Sequence, residues 1–197
     1  MICTNCIKGH KEDIQTRHIS SLCQPPYKKK NKQTVISNRK ISIVGLLKKF
    51  IRPTDKILDI GCGDGFITMC CATFCGKIIG IDRTVQRSCD ENKVVFLEED
   101  ILKYKYNVKN IDCILLLDIL EHIPKDKERD FLDNLIPLFN RFIFINIPDQ
   151  QDNNQPFDRK VNLLSIINYL SRKLSLFYFQ KIYITKTESY NFIIFKK

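Results

Sequence analysis

Long apolar stretches are missing from this chain of 197 residues. No run approaches the roughly 18 consecutive apolar residues that a membrane-spanning helix requires, so we expect no membrane span. The first residues also lack an apolar stretch after a charged start, which argues against a signal peptide. A length near 200 residues predicts one domain with a sizeable core and a short appendage.

Regular cysteine spacing is absent too, although the chain has nine cysteines. They are scattered and odd in number, and Cys70, Cys71 and Cys113 lie inside apolar runs, where a thiol packs as a small hydrophobic group. This pattern disfavours a disulfide framework and predicts a reducing compartment. We therefore expect a soluble, cytoplasmic protein, with a nuclear location as the alternative.

The first 23 residues contain enough candidate ligands for a tetrahedral zinc site: Cys3, Cys6, His10, His18 and Cys23. A Cys-x-x-Cys that begins at the third residue has little chain before it to pack such a site. Zinc binding by these residues stays open, and we predict no metal ligand elsewhere in the chain.

Acidic residues are missing between Ile14 and Thr54. Residues 1–52 hold twelve Lys and Arg against two acids, whereas residues 53–197 hold twenty basic and twenty acidic residues, so the first quarter carries the whole net charge of +10. A one-sided positive field attracts polyanions, which predicts polyanion contact through residues 28–52. The alternative is a solvated tail in a lysine-rich chain.

Glycine is scarce, and three of the seven glycines fall within residues 61–65. The segment 57–65 reads Ile-Leu-Asp-Ile-Gly-Cys-Gly-Asp-Gly, an apolar strand that runs into a glycine-rich loop. A buried parallel strand reads as a continuous apolar run, and open α/β sheets bind ligands just beyond the carboxyl ends of such strands. Glycine lets the backbone approach a ligand closely. The loop therefore predicts a site for a nucleotide-like ligand.

Strand and helix patterns alternate after an irregular, basic arm of residues 1–36, so residues 37–197 are predicted to form the folded domain. We predict strands at 56–60, 77–81, 94–97, 111–117, 141–147, 177–185 and 190–196, and helices from 37 or 38 to 51 and near 65–74, 84–91, 126–138 and 160–173. This alternation predicts an α/β fold, with a mostly parallel sheet and helices on both faces. The last two strands should pair as an antiparallel hairpin.

Four spaced features of residues 37–197 resemble the class I S-adenosylmethionine-dependent methyltransferase family, which has a Rossmann-like seven-stranded sheet. They are the loop from Asp59 to Gly65, Asp82 after the second strand, Asp100-Ile101 after the third, and Leu-Asp-Ile-Leu-Glu-His-Ile-Pro at 117–124. The last feature resembles the subset of the family with a Leu-Glu-His signature.

The resemblance implies S-adenosylmethionine as the cofactor and gives each position a role. The backbone of Gly61 and Gly63 would meet the methionine part, with Asp59 ordering the loop and reaching toward the ammonium group. Asp82, with Arg83 beside it, would accept both ribose hydroxyls.

The remaining positions complete the predicted cofactor set. Asp100 and the backbone of Ile101 would meet the adenine, and Asp118 would lie in the segment that lines the sulfonium and the substrate entrance. His122 is a candidate base because its unperturbed pKa lies near neutrality; alternatively it only shapes the pocket.

The acceptor is less determined. The Asn/Asp-Pro-Pro-Tyr tetrad of methyltransferases that modify exocyclic amines is missing after the fourth strand, which favours O-methylation. Asp118 and Glu121-His122 resemble an element of small-RNA 2′-O-methyltransferases, but residues 157–162 offer no histidine to complete that metal set. The acceptor is thus a small metabolite or RNA. The alternative to an enzyme is a catalytically silent domain that keeps the cofactor pocket and acts as an RNA-binding or scaffold module.

Overall fold

The computed structural model describes residues 38–85, 93–149, 159–184 and 188–197. Seven strands form one sheet: β1 Lys56–Ile60, β2 Lys77–Asp82, β3 Val94–Glu98, β4 Ile111–Leu117, β5 Phe139–Pro148, β6 Ser175–Tyr183 and β7 Ser189–Lys196. Each predicted strand is confirmed to within two residues at either end. The basic arm of residues 1–36 and the candidate zinc ligands lie outside the described residues and stay predictions.

The strand order is β3-β2-β1-β4-β5-β7-β6. Strands β1 to β5 pair in parallel, whereas β7 runs antiparallel to both β5 and β6. This confirms the Rossmann-like sheet and the C-terminal hairpin. The order reverses between β1 and β4, and open α/β sheets bind their ligands at such a switch point.

Four α-helices and two 3-10 turns are described: α1 Asn38–Phe50, α2 Phe66–Ala72, α3 Glu128–Leu135, α4 Leu163–Leu170, and the turns Leu120–His122 and Ile136–Leu138. The helix predicted at 126–138 ends early because Pro137 has no N–H to continue it. Helix α4 begins after Asn162, whose side chain accepts a hydrogen bond from the N–H of Ser165.

The helix predicted near 84–91 falls largely on residues 86–92, which are outside the described residues. Residues 83–85, which precede them, are not helical. Among the described helices, none is long and apolar enough to cross a membrane.

The helices cover both faces of the sheet. Helices α1 and α2 pack on one face, where Ile43, Leu47 and Cys71 are fully buried beside strand residues such as Ile57 and Phe144. Helices α3 and α4 pack on the other, through Leu132, Leu135, Ile166 and Leu170. Because strand β4 is buried on both faces, it reads as a nearly continuous apolar run. Because the helices pack on the two faces of the sheet, the site forms at the carboxyl ends of the parallel strands.

Candidate functional site

The candidate site lies where the loops after β1, β2, β3 and β4 meet. The backbone N–H groups of Gly61 and Cys62 both donate to the carbonyl of Ile81, at 2.8 and 3.1 Å. The N–H of Glu99 donates to the carbonyl of Asp82 at 2.9 Å. These bonds hold the loop ends side by side, as the parallel register requires.

The glycine-rich loop uses backbone angles that disfavour other residues. Gly61, Gly63 and Gly65 have φ of 74°, 53° and 69°, all in the left-handed region. A Cβ atom added to Gly61 would lie 2.4 Å from Cδ1 of Ile119, whereas one added to Gly63 would meet nothing within 4 Å. Gly61 therefore makes room for the segment after β4, and Gly63 faces open space.

The carboxylate of Asp82 is bonded directly to this loop. Its Oδ2 accepts from the N–H of Gly63 at 2.8 Å, and its Oδ1 accepts from the N–H of Thr84 at 3.2 Å. Two predicted cofactor residues, Asp82 and Gly63, are therefore in contact. Arg83, the next residue, is exposed.

Asp59 lies inside the protein, with only 3% of its surface exposed. The hydroxyl of Thr68 on α2 donates to its Oδ2 at 2.6 Å. Burial raises the pKa of the Asp59 carboxyl to about 6, the Thr68 hydrogen bond opposes this, and the negative charges of Asp82 and Asp64 add to it. The described contact of Asp59 joins β1 to α2, which agrees with an ordering role for this residue.

The loop after β3 carries the next two predicted residues. Oδ1 of Asp100 accepts from the N–H of Leu102 at 3.0 Å, in a tight local turn. The side chain of Ile101 is buried, and its carbonyl accepts from the hydroxyl of Tyr106 at 2.8 Å. The turn fixes where the Asp100 carboxylate lies relative to the end of β2.

Asp118, directly after β4, is the most constrained acid of the site. Its φ is 55°, unusual for a residue with a side chain. Its Oδ1 accepts from Nδ2 of the fully buried Asn146 at 2.6 Å, and its Oδ2 pairs with the guanidinium of Arg39 at 2.8 Å. Burial raises the pKa of Asp118, although the positive charge of Arg39 works in the opposite direction.

The first turn of α1 reaches the site by two ion pairs. Arg39 pairs with Asp118 and lies 4.6 Å from the ring centre of Tyr190, and Nζ of Lys40 pairs with Asp64 at 2.8 Å. Sequence reasoning placed both residues within the basic stretch 28–52 that was predicted to contact polyanions. In the structure, these two cations bind acids of the site itself.

The other cations in the described part of that stretch are Lys48, Lys49 and Arg52, which are exposed at the far end of α1. Polyanion contact through this stretch stays a prediction.

Arg159, which sequence reasoning did not single out as a functional residue, holds the turn that carries His122. Its Nε donates to the carbonyl of Ile123 at 2.7 Å, and one terminal nitrogen donates to the carbonyl of Leu120 at 3.1 Å and pairs with Glu128. Glu128 is 3% exposed and also pairs with Lys125 at 2.6 Å. His122 is exposed on this turn. Only the basic character of position 159 was visible in the sequence, because its partners lie more than thirty residues away.

Within 38–85, 93–149, 159–184 and 188–197, no three His, Cys, Asp or Glu side chains come together in a way that could hold a metal ion.

Comparison with known proteins gives one family and many structural relatives. Residues 57–140 match a family model described as a methyltransferase domain. The N-methyltransferase NodS from Bradyrhizobium japonicum WM9, in complex with S-adenosyl-L-homocysteine, superposes with a TM-score of 0.68 at 14% identity, covering 93% of this chain and 98% of that one. No curated protein matches the chain by sequence.

Two further structures have the same fold. Magnesium protoporphyrin IX methyltransferase (ChlM) from Synechocystis PCC 6803, with bound SAH, has a TM-score of 0.66 at 16% identity and covers 93% of each chain. The 1,6-didemethyltoxoflavin-N1-methyltransferase from Burkholderia thailandensis has a TM-score of 0.64 at 16% identity and covers 81% of this chain and 77% of that one. At such identities the likeness is one of fold.

Proposed function

We propose that this chain, which belongs to the class I S-adenosylmethionine-dependent methyltransferases, directs the methyl group to a hydroxyl oxygen of an RNA or small-metabolite acceptor. The segment after β4 supports the choice of oxygen. Leu117-Asp118-Ile119-Leu120 stands where methyltransferases of exocyclic amines have an Asn/Asp-Pro-Pro-Tyr tetrad, so this chain lacks the residues with which those enzymes hold an acceptor amine. The structural relatives include N-methyltransferases, so fold alone does not determine the acceptor atom.

The cofactor is S-adenosylmethionine, and the residues of the site fit it. Gly63 faces open space, and the carboxylates of Asp82 and Asp100 lie at the ends of neighbouring strands. In the proposed arrangement, Gly61 and Gly63 offer backbone to the methionine part, Asp82 accepts from the ribose hydroxyls, and Asp100 with Ile101 borders the adenine. A carboxylate has about four acceptor positions, so Asp82 can hold two hydroxyls beside its two amide donors.

Three other residues complete this proposal by shaping the site. Asp59 ties β1 to α2 through Thr68, and Asp118 is held at the end of β4 by Asn146 and Arg39. Arg83 lies exposed beside the ribose position. When bound, the cofactor would supply a methyl group attached to a sulfonium sulfur, which leaves as a neutral thioether when the methyl group is transferred. Because this leaving group is already activated, the transfer needs no covalent intermediate with the enzyme.

Replacing Gly63 with alanine is expected to weaken S-adenosylhomocysteine binding about tenfold at little cost to the fold. The new methyl group meets no protein atom, so the fold carries only the left-handed backbone strain of roughly 1–2 kcal/mol. In contrast, Gly61→Ala adds the clash with Ile119 and should lower the melting temperature further. Calorimetric titration and thermal unfolding separate the two effects. Unchanged affinity in Gly63→Ala would mean that the open space belongs to something other than the cofactor.

The chemical step needs positioning, exclusion of water and a base for the acceptor proton. His122 is the proposed base, because it lies exposed on the turn after β4, in the segment that also carries Asp118. As the acceptor oxygen is methylated, its proton passes to a ring nitrogen of neutral His122 and then to solvent. Arg159 supports this step indirectly by holding the backbone of the turn.

The test is transfer of a labelled methyl group from S-adenosylmethionine into separated pools of RNA, protein and small metabolites. We expect label in one acceptor pool, and we expect His122→Gln to lower kcat about 100-fold with the affinity for S-adenosylhomocysteine unchanged, as loss of a general base does. Lys127→Gln, an exposed position on the same loop, is the matched control.

Full turnover by His122→Gln would remove this residue as the base. Cofactor binding without label in any pool would instead favour the catalytically silent module. Label on an acceptor nitrogen would refute the O-directed proposal and leave the cofactor site intact.

A further inference from the structure

A groove runs along helix α4. Its inner part is a cavity of about 550 Å³ at the carboxyl end of β5, with Pro148, Asp149, Lys160 and Asn191 in its lining. Its outer part is a cavity of about 400 Å³ bordered by Arg129, Tyr169 and Arg172. Both cavities include Asn162 and Leu164, so they adjoin. The two together are called the α4 groove.

The outer part of the α4 groove carries uncompensated positive charge. Across the described part of the chain, neither Arg129 nor Arg172 forms an ion pair. The nearby acid Asp133 is already bound by Lys173 and by the hydroxyl of Tyr169. The guanidinium carbon of Arg129 lies 5.5 Å from the Tyr169 ring centre, which restrains that side chain before any ligand arrives.

The inner part does not repel an anion, because the negative charge of its acid, Asp149, is balanced by the positive charge of Lys181. Asp149 accepts from Lys181 at 2.6 Å, from Ser189 at 3.0 Å and from Asn191 at 3.3 Å. These hydrogen bonds, with that of Lys181 first, lower the pKa of the Asp149 carboxyl. Lys160 adds a further positive charge to the lining of this cavity.

These features suit a chain of phosphates better than a small molecule. A guanidinium matches phosphate by its planar fork of donors, and arginine, asparagine and tyrosine are the usual contacts to nucleic-acid backbones. Leu164, which is 69% exposed between the two cavities, offers apolar surface to a sugar or base. A small acceptor in the inner cavity would not contact Arg129 or Arg172, which line only the outer cavity.

We infer that the α4 groove binds a single-stranded polynucleotide, with backbone phosphates on Arg129 and Arg172 and the strand leading inward past Lys160. This inference rests on the proposed function and selects RNA from the two acceptor classes named there. It also moves the phosphate contacts from the start of α1, where Arg39 and Lys40 bind acids, to the opposite face of the sheet.

The experiment measures anisotropy of a fluorescent single-stranded RNA of about 16 nucleotides, a length that one binding face can cover. Arg129→Gln/Arg172→Gln should weaken binding about tenfold and reduce the slope of log K against log salt by about 1.4, since each lost contact with a single strand accounts for about 0.7. Lys105→Gln/Lys109→Gln, which removes the same charge from exposed positions between β3 and β4, is the control.

Equal weakening in both double variants would reduce the effect to net charge and overturn the inference, as would unchanged binding in the arginine variant. Arg172→Gln alone, beyond the end of α4, tests the same point if the double variant folds poorly. Single-stranded DNA of the same sequence shows whether the groove recognises RNA in particular. Weaker binding of DNA than of RNA supports RNA as the ligand. Equal binding that still depends on the two arginines supports phosphate recognition by the groove and contradicts selection of RNA.

Failure of this inference and failure of the proposed function give different results. S-adenosylhomocysteine affinity should be the same in the arginine variant and the wild type. Label that enters small metabolites at an undiminished rate in the arginine variant would refute the groove as an acceptor site while methyl transfer stands. RNA binding that depends on the arginines without any transfer would support the groove and refute the enzymatic proposal.

Discussion

Replacing Asp82 with alanine is expected to weaken S-adenosylhomocysteine binding by at least about 100-fold. Two hydrogen bonds to a charged acceptor contribute roughly 1.5–3 kcal/mol each, and both would be lost with the carboxylate. The substitution also frees the N–H of Gly63, so the glycine-rich loop loses the contact that ties it to β2. Isothermal titration calorimetry measures the change directly.

Two variants sharpen this result. Asp82→Asn keeps the shape of the side chain and one acceptor oxygen, so its affinity should fall between those of the wild type and Asp82→Ala. Glu98→Ala removes an exposed acid from the end of the neighbouring strand, in register with Asp82, and should bind normally. If Glu98→Ala weakens binding as much as Asp82→Ala, general negative charge at this edge would explain the effect.

Replacing Arg159 with alanine is expected to lower the free energy of unfolding by about 3 kcal/mol, the range seen when one partner of a buried ion pair is removed. Glu128, 3% exposed, would keep only Lys125 as its charged partner. The carbonyl of Ile123 would lose its side-chain donor, and the carbonyl of Leu120 would keep only the N–H of Ile123. Urea denaturation gives the loss, and labelled transfer gives its effect on turnover.

Arg159→Lys tests whether charge alone suffices. A lysine keeps the positive charge but lacks the rigid fork that reaches Ile123, Leu120 and Glu128 together, so we expect only partial recovery of stability. Lys173→Ala, which breaks the exposed pair with Asp133, should cause no comparable loss. Wild-type stability in Arg159→Ala would contradict the assigned role of this residue in holding the turn.

The strands and their mostly parallel arrangement were predictable because their signals are local. Each parallel strand is a short apolar run with a polar boundary, and alternation with helices leaves few topologies. Helix ends were less accurate, since they depend on single residues: Asn162 begins α4, and Pro137 ends the α-helical part of α3.

The acidic residues were predicted to belong to the site for a related reason, because each lies within two residues of the carboxyl end of a strand. Their partners could not be predicted. The pair of Arg39 with Asp118 spans 79 positions, and the contact of Arg159 with Ile123 spans 36. A sequence gives the sign of such charges but not the distance between them. Asp59 shows the same limit, because its contact with Thr68 becomes evident only once α2 is placed.

The ion pairs of α1 join residues outside the family match to residues within it. The family model covers residues 57–140, which include strands β2 to β4 and all but the first residue of β1, whereas Arg39 and Lys40 precede that range and each bind an acid within it. Arg159, α4 and Arg172 follow it. If the proposed acceptor groove is correct, the flanking segments that form it could change while the segment matched by the family model is kept. For the same reason, a unit cut at the family boundary would omit side chains that complete its own site.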